Sequence, residues 1–265
     1  MKKHLFALLV LVSLLFIITA CDDSSDNGAT DGDGETKTFM AWVADFKSDA
    51  PTAGVEVWVV SEETGEILED LGSQVSDAEG WVEFTNIPSD ANTIGFLCKG
   101  AEGQSVDTYQ FNIKADAQDE KLWSVDKVTY ETAPLAAGLR LDKSKGVVAG
   151  AFYWCTNQTQ REEGFCAQEN EEIVGCGAVA TDPVTEDIRY FNDSRLPVAL
   201  DKRPNVNPLN GYFIGANMAE GKVTLTGLAD GEAVGTTPIW SKGNSICIAN
   251  IYATTDSNPS PEGCE

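Results

Sequence analysis

The side chains able to do chemistry in this 265-residue sequence are uneven in kind: 42 Asp and Glu, 18 Lys and Arg, seven Cys and one His. The histidine, His4, belongs to a basic start, Lys2-Lys3-His4, ahead of an apolar run from Leu5 to Ala20. Removal of that start, expected on the grounds below, leaves no imidazole. Ser-His-Asp and Cys-His catalysis are then impossible, as are His-ligated zinc and HExxH sites. Carboxylate, Lys, Tyr and Thr chemistry remains. Ser124-Val-Asp-Lys127 has the SxxK spacing of a serine beside a lysine, but the SDN-like and KTG-like elements such a site needs are missing. Glu220-Gly-Lys222 lacks the glycine spacing and the following Ser or Thr of a phosphate loop. Paired carboxylates could hydrolyse a glycosidic bond, yet among 42 acidic side chains close pairs arise in any fold. A solvated acidic surface is the expected outcome. Asp31-Gly-Asp33-Gly-Glu35 is an incomplete calcium loop. The expectation is no catalytic residue, no metal and no cofactor.

Six cysteines follow Cys21: Cys98, Cys155, Cys166, Cys176, Cys247 and Cys264. In an exported chain an even count reads first as disulfides, and the absence of CxxC pairs argues against zinc. Fifteen pairings are open. Five of the six lie beyond residue 150, so the second half is expected to be the stapled one, with Cys98 either buried and free or bridging the halves. Of six tryptophans, Trp42, Trp58, Trp81 and Trp123 fall in or beside strand-like segments, where packing is the commoner use. Trp154, Trp240 and Tyr252 lie near strand ends and are the candidates for an exposed aromatic site, one that could bind a glycan. The sequons at Asn157 and Asn192 are read as incidental.

These residues need a frame. An apolar helix over 5–20 spans roughly 24 Å at ~1.5 Å per residue, short of the ~30 Å hydrocarbon core. It therefore reads as an export signal. Ile18-Thr19-Ala20-Cys21 resembles the lipobox of bacterial lipoproteins. That resemblance implies cleavage before Cys21, a diacylglyceryl thioether on its sulfur and a further acyl chain on its amine, enough for stable anchoring. The sequence from Asp22 to Lys37 has no large apolar side chain and is expected to be a disordered acidic tether. Asp22 resembles the inner-membrane retention signal of enteric bacteria, a rule other lineages do not follow, so inner and outer membrane both stay open. Without Lys2 and Lys3 the mature chain keeps 16 basic against 42 acidic side chains, a charge near −26, which excludes nucleic acid as a partner.

Residues 38–128 alternate with period two through Met40–Ala44, Val55–Val60, Trp81–Phe84, Thr93–Cys98 and Thr108–Ile113, separated by turn clusters. The pattern predicts an antiparallel sandwich. Ala53-Gly-Val-Glu-Val57, followed by Asp77-Ala-Glu-Gly80-Trp-Val-Glu-Phe84-Thr-Asn86-Ile-Pro88, resembles the carboxypeptidase regulatory-like fold, related to transthyretin and Ig-like in architecture. The family's usual P-x-x-G-Y is replaced here by an extended loop after Pro88. Residues 146–265 repeat the pattern. Gly211–Asn217 matches Gly80–Asn86, Lys222–Gly231 parallels Thr93–Gly103, and Ile173–Val179 stands where Gly54–Val60 stood. The second copy carries an insertion, Thr156–Glu172.

The expected organisation is therefore all-β: a signal peptide (1–20), a lipidated Cys21 and linker (21–37), a first sandwich (38–128), a joining segment (129–145) and a second, cysteine-rich sandwich (146–265). The expected function is non-catalytic: a protein held in the cell envelope by lipid on Cys21, presenting β-sandwich loops to an envelope protein or glycan. The insertion and the Arg189–Asn210 stretch are the irregular regions best able to carry specificity. The alternatives are a carboxylate-based glycan-acting enzyme and a calcium or small-ligand sensor.

Overall fold

The computed structural model describes residues 35–163, 165–185 and 187–264. Cys21, the apolar start and most of the acidic tether lie outside them. The described residues belong to one compact unit.

The chain is all-β, as its alternation predicts. The first half contributes β1 (Thr36–Asp45), β2 (Glu56–Val60), β3 (Ser73–Val75), β4 (Trp81–Pro88), β5 (Thr93–Cys98), β6 (Ser105–Lys114) and β7 (Glu120–Asp126). Helix α1 (Lys127–Ala136) follows, capped by Asp126, whose carboxylate accepts from the Thr129 amide at 2.9 Å. The second half holds β8 (Gly146–Cys155), α2 (Gln158–Glu163), β9 (Glu171–Ile173), β10 (Ala178–Asp182), β11 (Ile188–Phe191), β12 (Pro197–Val198), β13 (Tyr212–Met218), β14 (Gly221–Ala229), β15 (Glu232–Ser241), β16 (Ser245–Ile248) and β17 (Ile251–Ala253).

The wiring repeats. In the first half β1 lies between antiparallel β4 and parallel β7, while β2, β5 and β6 form the facing antiparallel sheet. In the second half β8 lies between antiparallel β13 and parallel β16, while β10, β14 and β15 form the facing sheet. Strand β4 thus corresponds to β13, and β5 to β14, the two matches the sequence repeat predicts. The counterpart of β2 is β10, which begins where the expected Ile173–Val179 strand ends. A purely antiparallel arrangement was expected. Parallel pairings occur instead at β1·β7, β16·β6, β16·β8 and β17·β8.

The halves share one sheet. Strand β16 hydrogen-bonds to β8 on one side and to β6 on the other, so a continuous path runs β12-β11-β13-β8-β16-β6-β5-β2-β3. Period-two alternation then assigns every buried side chain to one of its faces. One face carries Leu97, Tyr109, Phe111, Val148, Phe213 and Cys247 and is covered by Val179, Val223, Leu225 and Ile239 of the β10-β14-β15 sheet. The opposite face carries Val57, Val59, Ile94 and Phe96, covered by Phe39, Val82, Phe84 and Leu122 of β1, β4 and β7. Farther along that face, Val147, Ala149, Ile214 and Ile246 pack under Tyr130 of α1. The small sheets therefore cover opposite faces of a shared long sheet. The segment 129–145, expected only to join the halves, supplies part of this cover through α1.

Sharing β6 creates a backbone problem that two buried polar side chains solve. Strand β7 pairs with β6 only at Ser105–Val106, after which β16 occupies that edge. Beyond this point Gln110 and Thr108 replace the lost ladder. The Gln110 side chain accepts from the Trp123 amide at 2.9 Å and donates to the Trp123 carbonyl at 3.4 Å, and Thr108 Oγ1 accepts from the Val125 amide at 3.2 Å. Both side chains are buried, and without these bonds β7 would bury unpaired backbone groups.

Two glycines are required by close approach. Gly80, at φ +88°, makes the turn into β4, where a Cβ would lie 2.8 Å from the Val43 carbonyl oxygen; Asp77 closes the same turn by accepting from the Trp81 amide at 2.7 Å. Gly150 sits where β8 changes partner from β16 to β17, and a Cβ there would fall 1.7 Å from the Ala249 carbonyl oxygen.

Candidate functional site

The cysteines divide by half. Cys155–Cys166 closes the 156–172 insertion, and Cys176–Cys264 ties the C-terminal segment to the loop before β10, across 88 residues. Cys98 and Cys247 are free and buried. Cys98 is opposite Thr108 and Cys247 opposite Tyr109, neighbours on the intervening strand β6, so the two thiols point to opposite faces and cannot meet. The even count thus overstated the bonding: burial in separate cores, not pairing, accounts for these two. Burial also pushes the Cys98 thiol up to about 12, which removes thiolate reactivity.

The three aromatic residues singled out from sequence are engaged within the protein. Trp154 donates its indole N–H to the Thr255 carbonyl at 2.8 Å, and the Arg161 guanidinium stands 5.2 Å over its ring. Trp240 donates to the Glu62 carbonyl at 3.1 Å and packs against Gly65, where a Cβ would lie 2.4 Å from the indole. It joins the first half to the second, and like Trp58 it packs against the core shared by both. Tyr252 stacks on Tyr153 at 6.4 Å and donates its hydroxyl to Glu171 at 2.7 Å. Glu171 is the most displaced carboxyl: burial raises its pKa from 4.5 to about 7, opposed by the Tyr252 hydrogen bond and assisted by the nearby carboxylates of Glu120 and Glu169.

The irregular regions are also tied down. In the insertion, Gln160 Oε1 accepts from the Ala167 amide at 2.9 Å and from Asn170 at 3.2 Å. In the 189–210 stretch, fully buried Asn207 donates to the Phe191 carbonyl at 3.1 Å and to Asp193 at 2.9 Å.

The outward aromatic surface lies instead on the first half. Phe39, Ala41 and Val43 of β1, Val82 and Phe84 of β4, and Leu122 of β7 point into the core. Trp42, Trp81, Lys121 and Trp123 therefore stand on the outer face of the β4-β1-β7 sheet, and all four are half-buried. Trp42 is opposite Trp81 on one side and Lys121 on the other. The Lys121 ammonium lies 4.7 Å from the Trp42 ring centre and 4.9 Å from that of Trp123, and pairs with Asp49 at 2.7 Å. Phe46 meets Trp123 edge-on at 5.4 Å. The expectation that these tryptophans pack inward is corrected for Trp42, Trp81 and Trp123. From Phe39 to Ala44 every position of β1 is apolar, so its sequence there did not reveal which parity faces water.

A cleft of about 560 Å³ lies elsewhere, between the 100–103 turn, α1 and the 243–244 turn, lined by Lys127, Glu131, Lys143 and Asp107. Glu171 is not in its wall. No group of three or more His, Cys, Asp or Glu side chains among the described residues is placed to hold a metal ion.

No family model matches the chain, and no curated protein matches it. Among solved structures it is similar to the shaft pilin SpaA from Lactobacillus rhamnosus GG, at 11% identity and a TM-score of 0.25, covering 83% of this chain and 99% of that one. The minor pilin GBS52 of Streptococcus agalactiae aligns at 9% identity and a TM-score of 0.24, over 84% of this chain and 99% of that one. The Bacillus anthracis TIE protein aligns over 82% of this chain at 10% identity and a TM-score of 0.24. The chain spans 34% of that protein and 46% of the group B streptococcus pilus 2b backbone protein.

Proposed function

We propose that this chain is a lipid-anchored cell-envelope protein that presents a rigid β frame for binding and makes or breaks no bonds itself. The observation that carries the reading is the order of segments at its start. A lipobox-like Ile18–Cys21 precedes an acidic stretch without large apolar side chains, and β1 begins at Thr36, already built into the β4-β1-β7 sheet. A protein so arranged is held at a surface by acyl chains and projects a folded body from it. The regulatory-like resemblance fits the same use, with sandwich surfaces and loops as contacts.

The anchor is tested by Cys21→Ser. The variant leaves the membrane fraction for the soluble one with an unchanged circular dichroism spectrum, because the frame holds its own cores. Retention in the membrane fraction shows the apolar start, residues 5–20, acting as an uncleaved anchor, and a mature wild-type N-terminus found unacylated by mass spectrometry overturns the anchored reading. Crosslinking in intact envelopes, with the Cys21→Ser form as control, should recover the same partner repeatedly.

One feature favours an enzyme: burial raises the Glu171 carboxyl to about 7, the range of a general acid. Glu171, however, is engaged by Tyr252 between packed strands. Glycan cleavage abolished by Glu171→Gln would establish that second reading. A calcium-dependent rise in melting temperature would instead favour the sensor.

A further inference from the structure

Resting on the binding reading above, we propose that the outer face of the β4-β1-β7 sheet, built from Trp42, Trp81, Lys121 and Trp123, is a binding platform for an uncharged polysaccharide.

The indole donors supply the first argument. Trp154 and Trp240 each donate the ring N–H to a carbonyl of this chain, whereas the N–H groups of Trp42, Trp81 and Trp123 have no acceptor among the described residues. Three large aromatic side chains with unused donors therefore share one face. Three strands about 4.8 Å apart make that face roughly 10 Å wide, the scale of a short oligosaccharide.

Rigidity supplies the second. Trp42 and Trp123 flank one ammonium, Asp49 fixes that ammonium, and Phe46 abuts Trp123. A surface held in this way loses little rotamer freedom when a ligand settles on it.

The charge pattern selects the occupant. Lys121, Asp49 and the exposed Glu83 are interleaved with the rings. An apolar protein patch would strip water from these ions without returning hydrogen bonds, a costly exchange. A sugar chain has the matching chemistry: its C–H faces lie on the indoles while its hydroxyls donate to the carboxylates and accept from the ammonium and the indole N–H groups. The net charge of −24 on the whole chain repels anionic polymers, which leaves neutral ones.

The test is native affinity electrophoresis of the soluble Cys21→Ser protein, in gels cast with hydroxyethylcellulose, mixed-linkage β-glucan, xylan or dextran. Alginate serves as the anionic control. Retardation is expected in at least one neutral gel and not in alginate. Trp42→Ala and Trp123→Ala should each weaken it roughly tenfold or more, in line with about 1.4 kcal/mol per lost ring contact. Lys121→Met should weaken it less. Trp154→Ala, on the second half, should leave it unchanged. A measurement on the unsubstituted rings guards against misfolded variants: saturating polysaccharide should shield tryptophan fluorescence from acrylamide quenching. Absence of retardation in every neutral gel, retardation in alginate alone, or retention and shielding that survive both Trp substitutions overturns the platform. None of these outcomes touches the anchor, which mass spectrometry of the mature N-terminus decides separately.

Discussion

The two halves share one wiring and stabilise it differently. The first half closes a continuous aromatic and aliphatic core, with Phe39 stacked on Phe96 at 4.3 Å and Phe84 tilted against the same ring at 5.8 Å, and carries no disulfide among its described residues. The second half wedges Phe152 against Gly177 and Gly227, positions where a Cβ would come within 3 Å of its ring, and fastens its long loops with two disulfides. A compact repeat can rely on burial. A copy enlarged by loops leaves more chain entropy to oppose, and crosslinks act on that entropy. Their outer surfaces diverge in step: half-exposed tryptophans stand outward on the first half, while Trp154, Trp240 and Tyr252 of the second are bonded inward.

The comparison can be broken most severely at the longer crosslink. Replacing Cys176 and Cys264 by Ser opens an 88-residue separation and should cost about 4–5 kcal/mol on the loop-entropy scale. At roughly 2–4 °C per kcal/mol, that lowers the midpoint by on the order of 10 °C in calorimetry. Since β16 binds both β6 and β8, the melt should stay a single transition. Two resolved transitions would show that the halves unfold independently. Phe96→Ala, in the half that relies on burial, should cost about 3–5 kcal/mol and leave both disulfides formed. If it costs less than Cys155→Ser with Cys166→Ser, expected near 3 kcal/mol, the contrast between burial and crosslinking fails.

A smaller effect sharpens the role of the seam. Gln110→Leu keeps the volume but orphans the amide and carbonyl of Trp123, and should cost about 2–3 kcal/mol by chemical denaturation. Hydrogen exchange should then accelerate in β7 before it does in β5. The smallest effect is pH-dependent. The folded-state pKa of Glu171 is raised to about 7, so the native state holds a proton that the unfolded chain releases near 4.5. Wild-type stability should therefore fall as pH rises from about 4.5 through 7 and level off above. Glu171→Gln lacks that decline: matched to wild type at pH 4, it should be more stable at pH 8 by on the order of 2 kcal/mol, allowing for partial solvation. A constant difference across this range would place the raised pKa elsewhere.

Much of the frame was legible from local signals. The Asp77–Gly80 turn, the strand signal of Trp81–Phe84, and the echo of Gly80–Asn86 in Gly211–Asn217 predicted the hairpin strands and their repetition, because turn chemistry and period-two alternation act over a few residues. Surface assignments were less legible. From Phe39 to Val43 both strand parities are apolar, so alternation did not say that Trp42 faces outward. Nor did the cysteine count show that Cys98 and Cys247 are separated by a strand and by a sheet face. Buried Gln110 and Thr108 gave no sign of their task, since the backbone groups they satisfy belong to β7 and become unpaired only when β16 takes the edge of β6.

By itself, then, the amino-acid order determined the all-β class, the repeated wiring and the acidic character. Those properties follow from composition and from interactions between near neighbours along the chain. Only the tertiary structure decided that two sandwiches share one sheet, which cysteines meet, and which tryptophans remain in water. Each of those depends on strands far apart in sequence competing for the same hydrogen-bonding edge or the same face, and no local pattern records the outcome of that competition.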